Sequence, residues 1–249
     1  MDEGGPRSDR PADLTASAIF RPVREGNAFE ETVERLLQAI KLGMVGLGER
    51  LPPERELAPL LGISRVTLRE AIRALQHEGY VESRRGRFGG TFVTYRPSEP
   101  RQGDFERVAA GMGEQLSDAL VFRMAVETGA AQALAVRRLT ADEAERLRHC
   151  LRETDLAAPA DYRRLDTRFH LTLGELTGSP TLAAACADAR MRLNDLLGAI
   201  PVLRRNIEHA AVQHAAIVDA ILAGDPDAAR RAVAEHLDGT GALLRGFLT

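Results

Sequence analysis

The chain has 249 residues, of which 44% are hydrophobic and 28% charged, a mixture typical of one large globular domain or two ordinary ones. With only Cys150 and Cys186, the sequence excludes a disulfide framework and a CxxC metal knuckle. No apolar run approaches the roughly 18–20 residues that cross a bilayer, and the N-terminus lacks the layout of a signal peptide. We therefore expect a cytoplasmic protein.

The net charge of −3 is unevenly distributed along the chain. Between Ser64 and Arg96 there are seven Arg and three Glu, which give this block a charge of +4. A basic block on a mildly acidic protein indicates a polyanionic partner. On charge alone, a solvated charged face is an equally good interpretation.

The N-terminal part of the chain predicts a tail, three helices and a hairpin. Residues 1–20 are polar, contain Gly and Pro and show no periodicity, so we expect a disordered tail. Apolar periodicity, caps and terminal glycines predict helices at 28–43, 54–62 and 64–79. The stretch YVESRRGRFGGTFVTY has β-type ends and a basic, Gly-rich middle, which is typical of a β-hairpin.

Beyond the hairpin the sequence predicts a linker and then an all-α bundle of about six to seven helices. These helices are expected near residues 104–111, 115–138, 140–157, 160–177, 180–199, 203–223 and 226–247. The predicted fold class is mainly α, with a small β-hairpin wing on the N-terminal domain. The predicted organisation is a tail at 1–20, an N-terminal domain at 21–96, a linker at 97–104 and a helical domain at 105–249.

The order helix, short helix, turn, helix and basic hairpin is that of a winged helix-turn-helix. The third helix begins at the N-cap Ser64, and Arg65, Thr67 and Arg69 follow in its first two turns. Such positions of a recognition helix reach base edges and phosphates, which Arg and Thr can bind. In the hairpin, Gly86 would let the backbone approach DNA, and the flanking Arg84, Arg85 and Arg87 would neutralise phosphate. The alternative is an ordinary helical hairpin with exposed arginines.

The stretch LPPERELAPLLGISRVTLREAIRALQHEGYVESRRGRFGGTFV closely resembles the DNA-binding domain of GntR-type bacterial transcription regulators, over roughly residues 28–94. The resemblance implies operator contacts by Arg55, Arg65, Thr67 and Arg69, and entry of the wing glycine, Gly86, into the minor groove. Val66 departs from the hydroxyl residue that some members have at this position. The DNA-binding candidates are Arg55, Ser64, Arg65, Thr67, Arg69, Arg85, Gly86 and Arg87.

Four polar residues of the helical domain could meet in space. His214 and His236 lie eleven residues before and after Asp225, the centre of a predicted helix–helix turn, so their imidazoles can face each other if the helical phases agree. Asp166 and His170 are four residues apart and share one helix face. Three His and one carboxylate are a plausible ligand set for Zn²⁺, Ni²⁺ or Mn²⁺. The alternative is a polar cluster satisfied by its neighbours in the core.

An all-helical domain after this kind of winged helix resembles the effector domain, often called FCD, of the FadR subfamily of GntR regulators. The resemblance covers roughly residues 104–246. Members of this subfamily carry an Asp-x3-His and two later His as metal ligands, which implies Asp166, His170, His214 and His236 here. They commonly bind a small carboxylate or sugar acid beside the metal. Arg123 matches the family's basic residue for this effector, although an ion pair with Glu127 is an alternative role.

The sequence therefore predicts a ligand-responsive regulator, in the first instance a repressor, that binds a palindromic operator as a homodimer. A divalent metal ion, with Zn²⁺ ahead of Ni²⁺ or Mn²⁺, would hold a small carboxylate or sugar-acid effector. The alternatives are a regulator that responds to the metal alone, a purely structural cluster, and a metalloenzyme with a DNA-binding head. The sequence lacks HExxH and GxSxG motifs, so we do not expect an enzyme.

The remaining candidates have less decisive positions. Arg190 and Arg192 could line the effector cavity, but their helical phase is ambiguous. His209 falls on a different face from His214 and is a weaker candidate ligand. His77 and His149 are expected at the surface.

Overall fold

The computed structural model describes residue 20 and residues 28–86, 89–96, 104–198 and 203–248. For residues 104–115, 195, 198, 205, 247 and 248 it describes the backbone alone. Contacts within the chain group it into two compact units, one of residues 1–40 and 44–96 and one of residues 41–43 and 97–249. The predicted tail and linker lie almost entirely outside the described residues.

Over its described residues, the first unit contains three helices and a two-stranded antiparallel sheet. Its elements are α1 (Ala28–Lys41), α2 (Glu54–Leu61), α3 (Arg65–His77), β1 (Val81–Arg84) and β2 (Gly90–Val93). The strands pair in the register Val81 with Val93 through Arg84 with Gly90. Apolar side chains from all three helices fill the interior, including the buried Leu36, Leu57, Leu61, Leu68 and Leu75.

The turn between α2 and α3 is set by two local devices. Gly62 has φ 65° and ends α2 in the left-handed conformation, which glycine adopts without steric cost. The Ser64 hydroxyl accepts a hydrogen bond from the Thr67 backbone N–H at 3.1 Å and caps α3. The two helices therefore meet through a short turn, and Ser64, Arg65 and Val66 at the start of α3 are exposed.

The second unit is a bundle of six helices over its described residues. They are α4 (Asp104–Val136), α5 (Ala141–Asp155), α6 (Pro159–Leu176), α7 (Pro180–Gly198), α8 (Arg204–Ala223) and α9 (Pro226–Leu248). α4 packs against α6, α7, α8 and α9, and α8 and α9 form a hairpin. The core between them includes Leu134, Leu147, Phe169, Ile217 and Val233. The predicted mainly helical fold with a small hairpin is confirmed.

One predicted boundary was wrong. The separate helix expected near 104–111 is continuous with the next, because α4 runs without a break from Asp104 to Val136. Gly111 and Gly113 lie inside this helix. A helical glycine costs only about 1 kcal/mol relative to alanine, so the two glycines do not end a long helix.

α4 also corrects the expectation that no segment is apolar enough to cross a membrane. Leu116–Val136 passes that test by length and composition. However, the middle of this segment carries Arg123 and Glu127, which are both buried and paired with each other. Together with its packing against four other helices, this pair identifies the segment as a core helix of the bundle.

Candidate metal centre and DNA-binding face

Four side chains from three helices converge in the interior of the second unit. Asp166 and His170 lie one turn apart on α6, His214 lies on α8 and His236 on α9. One ligand atom from each residue lies within 4.8 Å of all the others, and all four residues are buried. The sequence thus identified a group of residues that the structure brings together.

The α8–α9 hairpin places two of these residues opposite each other. Gly224 has φ 71° and ends α8, and the Asp225 carboxylate accepts a hydrogen bond from the Ala228 N–H at 2.9 Å to cap α9. Because the turn is tight, residues equidistant from it lie at the same height. His214 Nε2 and His236 Nε2 are 3.4 Å apart.

Four of the six separations within the cluster are close to those of metal-bound atoms, and all six are within 4.8 Å. His170 Nε2 lies 3.1 Å from His236 Nε2 and 3.8 Å from Asp166 Oδ1, and His214 Nε2 lies 3.4 Å from the same oxygen. Ligands bound tetrahedrally to zinc at about 2.0–2.1 Å are separated from each other by roughly 3.3 Å. The cluster is therefore compact enough that small side-chain adjustments would bring all four atoms to one ion.

The imidazole tautomers strengthen this fit. Glu127 Oε2 lies 2.6 Å from His170 Nδ1, a contact that requires a proton on Nδ1, although its angle is not that of a linear hydrogen bond. Gln213 Oε1 lies 3.2 Å from His236 Nδ1 and favours a proton there too. Both Nε2 atoms then direct lone pairs at each other, an arrangement that a cation stabilises.

A layer of charged groups surrounds the cluster. The Arg123 Nε–H donates to Glu127 Oε1 at 2.8 Å, and both side chains are at most 3% exposed. On the other side, Arg190 Nη2 donates to Asp166 Oδ2 at 2.6 Å and to Thr167 Oγ1 at 3.0 Å. α4 and α7 thereby orient the Asp166 and His170 side chains of α6.

The histidines are neutral at physiological pH. Burial lowers the pKa of His170, lowers that of His214 to about 3, and lowers that of His236 well below its ordinary value. Neutral imidazole is the form that binds metals.

The two carboxyl groups are ionised despite their burial. Burial opposes ionisation of Asp166, but the Arg190 guanidinium holds its pKa well below the usual range. Burial likewise opposes ionisation of Glu127, but the Arg123 guanidinium holds its pKa low. Two carboxylates and two guanidinium groups thus form a buried network without net charge.

A cavity of about 120 Å³ reaches the cluster, with Asp166 and His236 in its wall. The other polar residues that line it are Tyr162, Arg163, Asn206, His209, Gln213 and Thr240. Its volume is below the roughly 300–1,000 Å³ of pockets for drug-sized ligands. The cavity therefore suits a small molecule that lies beside Asp166 and His236.

The other sequence candidates fall in distinct places. Arg123 is ion-paired with Glu127, the alternative that the sequence left open, and it is not among the cavity lining. Arg190 pairs with Asp166 of the cluster, whereas Arg192 pairs with Asp118 at the surface. His209 lines the cavity, and the side chains of His77 and His149 are exposed.

The sequence analysis did not identify the side chains that contact the four clustered residues. Glu127, Gln213 and Tyr162, whose hydroxyl lies 3.5 Å from Asp166 Oδ1, had no assigned role at the metal. The i, i+4 pairing of Arg123 with Glu127 was visible in the sequence. That the second oxygen of Glu127 reaches α6 depends on tertiary packing.

In the first unit, the start of α3 presents the predicted recognition residues. Arg65 and Arg69 are exposed and Thr67 is half-buried. Arg69 donates to Glu54 at 2.7 Å, and Arg55 pairs with the adjacent Glu56. These surface pairs are weak and can exchange for phosphate contacts.

The hairpin distinguishes among the wing arginines. Arg84 donates to Glu82 at 2.8 Å, and its guanidinium carbon lies 4.5 Å from the centre of the Phe92 ring. Arg85 is exposed next to Gly86, which has φ 105°. Arg87 lies outside the described residues.

Comparison with known proteins also divides the chain into an N-terminal and a C-terminal domain. The family described as "Bacterial regulatory proteins, gntR family" matches residues 29–93, and the FCD domain matches residues 118–239. The chain is 33% identical to the HTH-type transcriptional regulator RmpR of Mycobacterium gastri, over 89% of this chain and 81% of the relative. It is 31% identical to the HTH-type transcriptional repressor NanR of Cronobacter sakazakii, over 91% of this chain and 89% of that relative. E. coli McbR/YncC shares the fold, with a TM-score of 0.50, 22% identity and coverage of 88% of this chain and 98% of that one.

A winged helix joined to an effector domain defines a DNA-binding transcription regulator. This chain belongs to the GntR family of bacterial regulatory proteins, and its C-terminal unit is an FCD domain. Its relatives are regulators and not enzymes.

Proposed function

We propose that this regulator is a homodimeric repressor whose effector, a small carboxylate or sugar acid, binds at a divalent metal ion in the FCD domain. The observation that carries the proposal is the convergence of three imidazole Nε2 atoms and one carboxylate oxygen beside a small cavity. A metabolite that binds one arrangement of the bundle better than another shifts the population of the DNA-binding form.

The residues that would hold the metal are Asp166, His170, His214 and His236. A bound divalent ion would supply positive charge and coordination positions for an anionic ligand. Three imidazoles with one carboxylate suit Zn²⁺ first, and Ni²⁺ or Mn²⁺ as alternatives. Glu127 and Gln213 would fix two imidazole orientations, as carboxylates and amides commonly do around metals.

Arg123 is expected to act on the effector indirectly. Its side chain does not line the cavity. Its Nη1 is buried and makes no hydrogen bond within the described part of the chain, so this N–H group is free to donate to a buried water. Its Nε is already committed to Glu127. Arg123 would therefore align Glu127 and favour an anion in the neighbouring interior.

The proposed operator contacts lie on the first turns of α3 and on the wing. Arg65, Thr67 and Arg69 would bind bases or phosphates, with Ser64 and Arg55 beside them. In the wing, Arg85 and Gly86 are favoured, because Arg84 is engaged by Glu82 and Phe92. Arg87 stays a candidate from the sequence.

An exposed apolar stripe on α4 supports the proposal of a homodimer. Val121 and Val136 are 67% and 73% exposed, and Ala125 is exposed on the same face. A Cβ added at Gly129 would meet nothing within 4 Å, so a second helix could approach closely there. A dimer places two winged helices on the two halves of a palindrome. The cytoplasm, where operator DNA lies, is the corresponding location.

One combined experiment tests the proposal. Metal content of the purified protein is measured by elemental analysis, and operator binding is followed by gel shift against a panel of small carboxylates. We expect about one divalent ion per chain and release of the operator by at least one acid. His214→Ala and His236→Ala should lose both the metal and the response.

The controls separate the parts of the proposal. A protein without metal, in which both histidine variants respond like wild type, would contradict the metal-anchored site. Operator binding that follows the metal and ignores every acid would favour the metal itself as the signal. Arg65→Ala should weaken operator binding and leave ligand binding unchanged, and Val121→Asp should shift the protein towards monomer in light scattering.

A further inference from the structure

The cavity beside the metal ligands contains a second cationic group. Arg163 lines it, and on α6 it lies three residues before Asp166, so the two side chains share a helix face. Arg163 is the one Arg or Lys among the described residues of the cavity wall. His209, on α8, lies in the same wall.

The charge balance of the interior favours a doubly charged ligand. Asp166 and Glu127 are neutralised by Arg190 and Arg123, with which they make direct contacts. A divalent cation on the four residues and the Arg163 guanidinium would together add three positive charges to this network. A monocarboxylate would compensate one of them and a dianion two, and buried uncompensated charge is costly.

The spacing limits the length of such a ligand. Side chains three residues apart on a helix have Cβ atoms about 5–6 Å apart, and the small cavity leaves room for a short chain. A four-carbon diacid could place one carboxylate at the metal ligands and the other at Arg163. A guanidinium binds a carboxylate through two parallel N–H groups.

We propose that Arg163 is a specificity-determining residue of the effector cavity, and that it selects a short dicarboxylate over a monocarboxylate of the same length. This inference rests on the proposed metal-anchored effector site. It adds a class of ligand and names the side chain that recognises the second acidic group.

The test measures binding to zinc-loaded, full-length protein by titration calorimetry. The probes are matched in carbon number: malonate with propionate, succinate with butyrate, and glutarate with valerate. We expect wild type to bind succinate about tenfold to a hundredfold more tightly than butyrate, the range of one charge-assisted hydrogen-bonded pair. In Arg163→Gln the ratio should fall to about one to three, and Arg163→Lys should retain part of the preference.

Arg168→Gln provides a matched control. Arg168 lies on α6, pairs with Glu153 at the surface and does not line the cavity, so its variant should keep the wild-type ratio. Equal binding of succinate and butyrate to wild type, or an unchanged ratio in Arg163→Gln, overturns the inference and leaves the metal-anchored carboxylate site standing. If no acid of either series binds, both the effector site and the inference fail.

Discussion

Replacing Arg190 with methionine should strongly destabilise the metal-free FCD domain. Arg190 is 1% exposed and its Nη2 donates to Asp166 Oδ2 at 2.6 Å, inside the bundle. Methionine retains much of the side-chain volume and removes the charge, so Asp166 loses its direct partner. Removing one member of a buried ion pair costs about 3–5 kcal/mol. For a domain of this size that corresponds to a fall in Tm of roughly 6–20 °C.

The assay is urea unfolding of chelator-treated protein, followed by far-UV circular dichroism. Arg192→Met is the matched control, because Arg192 lies two residues further along α7, where its side chain is 56% exposed and pairs with Asp118. Such a surface pair contributes about 0–1 kcal/mol. Equal stability of the two variants would refute the view that Arg190 holds the buried Asp166 carboxylate. With zinc present, the cost of Arg190→Met should shrink, since the cation also compensates Asp166.

Three further substitutions test the surroundings of the cluster. Glu127→Gln should lower zinc affinity about 10–100-fold in a chelator competition, because it weakens the support of His170; unchanged affinity would contradict that role. Gly174→Ala should destabilise the protein despite a helix-propensity gain of about 1 kcal/mol, because the new Cβ would lie 2.9 Å from Cys186 Sγ and overpacking costs about 1–3 kcal/mol. Much of that loss should disappear in a Cys186→Ala background, and additive effects would argue against the contact. Thr140→Ala should cost about 0.5–2 kcal/mol in denaturant unfolding by removing the capping box of α5, whereas no change would mean that the cap is not formed in solution.

Local rules made the four clustered residues visible in the sequence. Asp166 and His170 share a face because of helical periodicity, and His214 and His236 are opposed because they are equidistant from the turn at Asp225. Each of these two relations is local, but the meeting of the two pairs depends on how α6 packs against α8 and α9, and it was the family resemblance that implied the complete set of four. In the winged helix, the caps, turn and basic hairpin are all local features.

The contacts between the cluster and the charged residues around it could not be predicted from local sequence rules. Whether Glu127 reaches His170, or Arg190 reaches Asp166, depends on the rotation of α4 and α7 against α6. A change of one residue in helical phase turns a side chain by about 100°, and amphipathic patterns define the phase of an Ala-rich helix poorly. For the same reason the sequence left the orientation of Arg190 and Arg192 ambiguous.

The geometry of the cluster connects ligand binding to nearly the whole bundle. The four ligand residues lie on α6, α8 and α9, and their charged supports Glu127 and Arg190 lie on α4 and α7. An ion that binds there would contact α6, α8 and α9 directly, and α4 and α7 through Glu127 and Arg190, so a shift of any of these helices would change its binding free energy. Linkage makes this reciprocal: a ligand that prefers one arrangement stabilises that arrangement by the difference in its affinity. The exposed Val121 and the buried Glu127 lie on the same helix, α4. If α4 also forms the dimer contact, a shift of this helix on effector binding would change the relative position of the two subunits.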